Sequence, residues 1–220
     1  MSAQDRTRVQ PTSVQISAAD TSDSNAKHQS ILIDRAKRQL QVRGGGRLVH
    51  SCKVGIGRGG LGQKKSMADN ITPKGTFEVE LILTNDSSLN KCSKELIDRY
   101  KANKTALSFL SSGEGLKRLF QNMISLDFDG DGKADTAYGA AYIGLKGLPE
   151  GGGTAPITGP KLSKYGGKDY WFSIALHGTP DDSKNIGKAN SGGCVHLPKD
   201  MLQKLIAEGS IKIGTVVTIH

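Results

Sequence analysis

Long apolar runs are scarce in this chain: no stretch of its 220 residues approaches the ~20 apolar residues that carry a helix across a membrane. A transmembrane helix is therefore not expected. The segment Met1 to Ser30 also lacks the apolar core of a secretory signal peptide. Aromatics are few, at one Trp, five Tyr and five Phe. Proteins that hold single-stranded nucleic acid interleave stacking rings with basic residues, and no such interleaving is present. Nucleic acid is thus not an expected partner, although 30 basic against 21 acidic residues give a formal charge of +9. An anionic cell wall is the other polyanion that such a surface would attract. Cysteines number three, Cys52, Cys92 and Cys194, with no C-x-x-C pair, which argues against a zinc ribbon or a thioredoxin-type motif. The odd count leaves at least one thiol free.

What the chain has in quantity is glycine, 28 residues, set between short apolar runs. That pattern predicts strands and turns more than packed helices. The expected fold is mainly β with a helical insertion (α+β). Residues 1–29 are rich in Ser, Thr, Asp, Gln and Ala and read as a flexible leader. One domain then spans 30–220. Ile31 to Asp34, Gln39 to Val42 and Leu48 to Val54, with Gly44 to Gly46 as a tight turn, predict an opening β-meander. Gly55 to Asn70 reads as a loop and Thr76 to Leu83 as a strand. An insertion is expected at about 86–137, helical at Lys94 to Tyr100 and at Gly115 to Phe120. Tyr138 to Leu145 and Trp171 to Leu176 read as strands, joined through a glycine- and proline-rich loop at 147–167. Pro198 to Glu208 is a short amphipathic helix, with Pro198 in its first turn and Gly209 at its stop. Gly214 to Ile219 closes the chain as a β-branched strand.

Two segments carry chemistry. The first runs Ile174-Ala175-Leu176-His177-Gly178-Thr179 and, further on, Ser191-Gly192-Gly193-Cys194-Val195-His196-Leu197. A thiol attacks acyl carbon as thiolate, so it needs a nearby base. His177 ends an apolar strand, a place where a side chain is held firmly yet faces a cleft. Ser191, Gly192 and Gly193 offer backbone without bulk, and successive free N–H groups there would stabilise a developing oxyanion. Against this stands the simpler reading, in which Cys194 is a small buried hydrophobe and His177 a satisfied polar residue.

The same residues resemble the signature of the L,D-transpeptidase (YkuD-type) family: a His-Gly-Ser/Thr element, then Ser/Thr-x-Gly-Cys-x-Arg/Asn. The resemblance extends to Ile31 to Val54, to Gly55-Ile56-Gly57 with Thr72-Pro73-Lys74-Gly75-Thr76-Phe77, and to Gly214 to Ile219. Two positions depart from it: Gly192 stands where the family often has His, and His196 stands where it usually has Arg or Asn. The resemblance implies a β-sandwich or barrel with a Cys/His cleft. It implies Cys194 as nucleophile, His177 as base, and the Gly178 carbonyl as the group that orients the imidazole. Ser191, Gly192, Gly193 and His196 become the substrate and oxyanion residues. The implied activity is a peptidoglycan L,D-transpeptidase, which forms a thioester with a stem tetrapeptide and passes it to an amine. Water as acceptor would make it an L,D-carboxypeptidase. Stem peptides as partners, carbapenems as covalent inhibitors and a cell-envelope or periplasmic location follow from the same resemblance. Papain-like and NlpC/P60-type peptidases place the Cys before the His, the reverse of the order here.

The second segment is Asp127-Phe128-Asp129-Gly130-Asp131-Gly132-Lys133-Ala134-Asp135. Carboxylates at alternate positions around a sharp turn suit a hard cation. Asp127, Asp129, Asp131 and Asp135, with the Lys133 carbonyl, would form a structural Ca²⁺ loop. Tyr138 stands at the twelfth position, where an EF-hand has Glu, so the loop is EF-hand-like in part only. No cofactor is expected for the thiol chemistry. The alternatives are a solvated acidic turn and, for the whole chain, a non-catalytic calcium-dependent wall-binding module.

Overall fold

The computed structural model describes residues 29–148 and 174–220. The expected leader at 1–29 lies almost wholly outside these residues. So do most of the 147–167 loop and the start of the Trp171 strand.

The chain opens as three consecutive antiparallel strands, β1 (Gln29–Asp34), β2 (Gln39–Gly44) and β3 (Arg47–Lys53). Alternation decides their faces: Ile31, Ile33, Leu40 and Val42 are fully buried, while the residues between them are not. After β4 (Ile56–Gly57) comes the long strand β5 (Gly75–Thr84). The insertion then carries β6 (Lys91–Cys92), α1 (Lys94–Tyr100), α2 (Lys104–Leu110) and α3 (Gly113–Ile124). Each helix begins at a side chain that accepts from its first turn: Ser93 from Leu96 N, Asn103 from Ala106 N, Ser112 from Gly115 N. The helix α2 was not legible in the sequence.

The chain returns through β7 (Ala141–Gly147) and β8 (Ile174–His177). The short α4 (Asp182–Asn185), β9 (Ala189–Ser191) and β10 (Val195–His196) follow, then α5 (Lys199–Ala207) and β11 (Val216–Ile219). The expected strand from Tyr138 begins only at Ala141. Gly139 adopts φ 58° and packs against the Thr179 backbone, so residues 138–140 turn rather than extend.

The main sheet runs in the order β10-β8-β7-β5-β11-β1-β2-β3, with β6 paired to β5. The closing strand β11 sits mid-sheet, antiparallel to β5 and parallel to β1. The two ends of this order meet. Just past β3, Gly55 bridges His196 of β10, and β4 pairs with β9. The sheet therefore curls, and one apolar core fills it, drawn from Ile33, Val42, Phe77, Ile143, Leu176, Val195 and Ile219, with Leu202 and Leu205 of α5. A second cluster, centred on Phe120, Leu116 and Leu83, seats the insertion's helices on β5. The fold is mainly β with a few helices, as expected.

Candidate active site

The site forms where the two ends of the sheet close. β10 runs parallel to β8 in a register that sets Val195 beside Leu176 and His196 beside His177. Leu197 N donates to the His177 carbonyl at 2.9 Å and fixes that register. Side chains alternate along a strand, so His177 and His196 share a face, with ring centroids 4.7 Å apart. Cys194 lies one residue ahead of β10 and two ahead of His196. Its thiol accepts a hydrogen bond from the Ala175 backbone on β8. It is half-buried.

His177 is buried, and its Nδ1 lies 2.7 Å from the Gly178 carbonyl oxygen. A carbonyl only accepts, so Nδ1 carries the proton and Nε2 is left as the basic nitrogen. The ring is held from two further sides: Tyr142 stacks on it at 6.3 Å, and Tyr138 meets it edge-on at 5.1 Å. Burial, helped by the repulsion that a protonated His196 would exert, pushes the imidazole down to about 3, with the Gly178 hydrogen bond acting the other way. Burial also pushes the Cys194 thiol up, while an Ala175 backbone hydrogen bond and the charge of Lys64 pull it down. Both net shifts favour the neutral thiol–imidazole pair before substrate binds. Cys52 and Cys92 are pushed up to about 11, each chiefly by burial.

The loop before the cysteine differs from expectation at one point. Successive free N–H groups were anticipated over Ser191, Gly192 and Gly193. Instead Gly193 N donates to Ser191 Oγ at 3.1 Å, and Ser191 Oγ donates to the Cys194 carbonyl at 2.6 Å. Ser191 braces the turn from inside, which explains its burial. Gly192 is exposed. His196 presents an Nδ1 that is fully buried with no hydrogen-bond partner among the described residues. Burial pushes this imidazole down, so it does not carry the standing positive charge that an arginine would.

The loop 55–72, read as a loop from the sequence as far as Asn70, lies against Gly192 and Gly193, but Lys64 and Asp69 within it were not singled out. Gly57 is required there: a Cβ would sit 2.1 Å from the Asn70 carbonyl oxygen. Thr72 accepts from Gly57 N at 2.8 Å through its hydroxyl. Lys64 in this loop is buried and paired with Asp69, Nζ to Oδ1 at 2.8 Å. Asp69 also accepts from the backbone N–H groups of Lys65, Ser66 and Ile71. Burial opposes its charge, but these four donors outweigh that and hold its carboxyl below the usual range. The sequence signal was a lysine and an aspartate five positions apart inside a glycine-rich loop, too common a pattern to single out.

In the acidic segment, carboxylate oxygens of Asp127, Asp129 and Asp135 lie within 4.8 Å of one another. Asp131 is not among them; its carboxylate accepts from Lys133 N instead. Gly130 N and Gly132 N donate to Asp127, and Phe128 N donates to Asp135. The donor set, three carboxylates in one tight loop, fits a hard cation.

Over residues 28–219 the chain matches the family model of the L,D-transpeptidase catalytic domain, YkuD. It belongs to that family. No curated protein sequence matches the chain. Similar solved structures include the helical cell shape determining protein of Campylobacter jejuni. That comparison has 18% identity over 90% of this chain and 51% of that one, with a TM-score of 0.45. An L,D-transpeptidase of Xylanimonas cellulosilytica shares 15% over 88% of this chain and 60% of that one, with a TM-score of 0.42. For L,D-transpeptidase 1 of Mycobacterium tuberculosis the figures are 11%, 87%, 61% and 0.39. The chain thus spans about half the length of the first of these.

Proposed function

We propose that this domain is a peptidoglycan L,D-transpeptidase in which Cys194 is the nucleophile and His177 the base. Family membership gives the class of reaction. The observation that carries the residue assignment is the His177 Nδ1 to Gly178 carbonyl contact, because it leaves Nε2 free to take a thiol proton. Cys194 Sγ, deprotonated by Nε2, attacks the carbonyl of the L-centre residue of a stem tetrapeptide. The tetrahedral intermediate collapses, and the terminal D-alanine leaves with the proton held on His177. The resulting thioester is attacked by an amine on a D-centre of a neighbouring stem, which gives an L,D cross-link. Attack by water on the same thioester would give the carboxypeptidase product. The substrate places the protein at the cell envelope; among the described residues no helix is long and apolar enough to cross a membrane.

The test is mass spectrometry of purified stem tetrapeptide incubated with the protein. The expected result is loss of D-alanine and a cross-linked dimer, both absent in Cys194→Ala. Loss of D-alanine without any dimer would replace the transpeptidase reading by the carboxypeptidase one. Turnover in Cys194→Ala would overturn the mechanism. We further propose that Asp127, Asp129 and Asp135 hold a Ca²⁺ ion that stiffens the insertion and takes no part in the thiol chemistry.

A further inference from the structure

Lys64 is among the largest fully buried side chains of the described residues. A lysine is almost never buried without a partner, and Asp69 supplies one. The loop's shape does not call for the ammonium, because the Asp69 carboxylate already gathers three backbone N–H groups. An apolar residue would fill the same volume with no charge to desolvate. The direction of the charge is informative. Lys64 Nζ lies 3.6 Å from the point where Gly193 would carry a Cβ. Gly193 immediately precedes Cys194, has φ 129°, and has no side chain to stand between the two. The Lys64–Asp69 pair is therefore a fixed dipole with its positive end toward the cysteine loop.

We propose that the Lys64 ammonium, anchored by Asp69, stabilises the Cys194 thiolate at the moment His177 removes its proton. The inference rests on the nucleophile assignment above. In that step the S–H bond breaks, its electron pair stays on sulfur, and the proton passes to His177 Nε2. Burial disfavours both the thiolate and the imidazolium, and a nearby positive charge offsets part of that cost for the thiolate. Among the described residues, Lys64 brings a positive charge to bear on the Cys194 thiol, while Tyr138, which also lies near it, is neutral at pH 7.

The experiment is the pH dependence of Cys194 alkylation by iodoacetamide, in a Cys52→Ser/Cys92→Ser background that leaves a single thiol. Lys64→Met should raise the apparent thiol midpoint by about one unit, so alkylation at neutral pH slows about tenfold. Asp69→Asn should move the midpoint down, because it frees the cation from its neutralising partner. A merely structural pair would shift both variants the same way, and that result overturns the proposal, as does an unmoved midpoint in Lys64→Met. Should Lys64→Met fail to fold, the uncharged Lys64→Met/Asp69→Asn double variant should still move the midpoint up, by less than Lys64→Met alone, because the nearer charge removed is the positive one. Wild-type Cys194 that labels no faster than Cys52 and Cys92 would remove the nucleophile assignment itself, and the Lys64 inference with it. Fast wild-type labelling with no effect of Lys64→Met removes the Lys64 inference alone.

Discussion

At the residue scale the three thiols separate by surroundings. Cys52 packs against the main core and Cys92 against the insertion's cluster, and burial holds both protonated far above neutral pH. Cys194 stands in the turn before β10, two residues from His196, and bonds to the backbone of the strand that ends in His177. A carbapenem presents a strained acyl carbon that a thiolate opens, so one molecule of carbapenem should attach per chain. Intact-mass measurement should show a single adduct in wild type, in Cys52→Ser and in Cys92→Ser, and none in Cys194→Ala. An adduct that persists in Cys194→Ala would move the nucleophile to another thiol. His177→Ala should slow adduct formation by 10²–10⁴-fold, the usual consequence of removing a general base.

At the element scale one side chain ties the loop 55–72 to β1 and to the chain's last residue. Arg35 is buried and donates to four carbonyls: His220 through Nε at 3.0 Å, Thr72 and Gly62 through Nη1 at 2.6 and 3.2 Å, and Leu61 through Nη2 at 2.7 Å. A planar guanidinium can reach all of them at once; a lysine cannot. Arg35→Met should cost about 3 kcal/mol of stability, since hydrogen bonds from a charged donor are worth about 1.5–3 kcal/mol and the carbonyls are left unpaired. Chemical denaturation should read this as a lowered midpoint at unchanged slope. An unchanged midpoint would mean that water replaces the clamp at no cost. The acidic loop makes a second prediction at this scale. If the carboxylates of Asp127, Asp129 and Asp135 clasp Ca²⁺, the folded state gains about 2.7 kcal/mol at a hundredfold excess over the dissociation constant. The melting temperature should fall with chelator, recover with Ca²⁺ and recover less with Mg²⁺. Asp127→Ala with Asp129→Ala should abolish that response and leave Cys194 alkylation unchanged. Identical melting with chelator and with millimolar Ca²⁺ would reduce the segment to a solvated turn.

On the scale of the whole molecule, curling the sheet buries ionisable groups where its ends meet, and this sets the pH response. His177 falls from 6.5 to about 3 on folding because burial disfavours the imidazolium. Between those values the unfolded chain binds a proton that the folded chain does not. Stability from this group is therefore complete above ~6.5 and is lost as pH falls below it, at roughly 1.4 kcal/mol per pH unit. His196 shifts in the same direction for the same reason. Thermal melts from pH 7 to pH 4 should show a falling midpoint, with a shallower fall in His177→Gln. An equal slope in that variant would assign the acid sensitivity to other groups.

The sequence alone determined what local pattern can determine. The polar–apolar alternation of Gln39 to Val42 marks a half-buried strand, and Gly209 marks a helix end, because these signals act over a few bonds. His177-Gly178 and Ser191 to Cys194 stood out in the sequence as a candidate site because a motif is made of residue types and short spacings. The tertiary structure decided what depends on distant segments meeting. Nothing near Tyr138 or Tyr142 announces that their rings enclose His177. Ser191 turns inward to brace Gly193 only because the turn closes there. Lys64 and Arg35 look like ordinary surface cations in the sequence, and each became buried when the two ends of the sheet closed over the loop between them. Burial is a property of the closed sheet, and no window of sequence contains it.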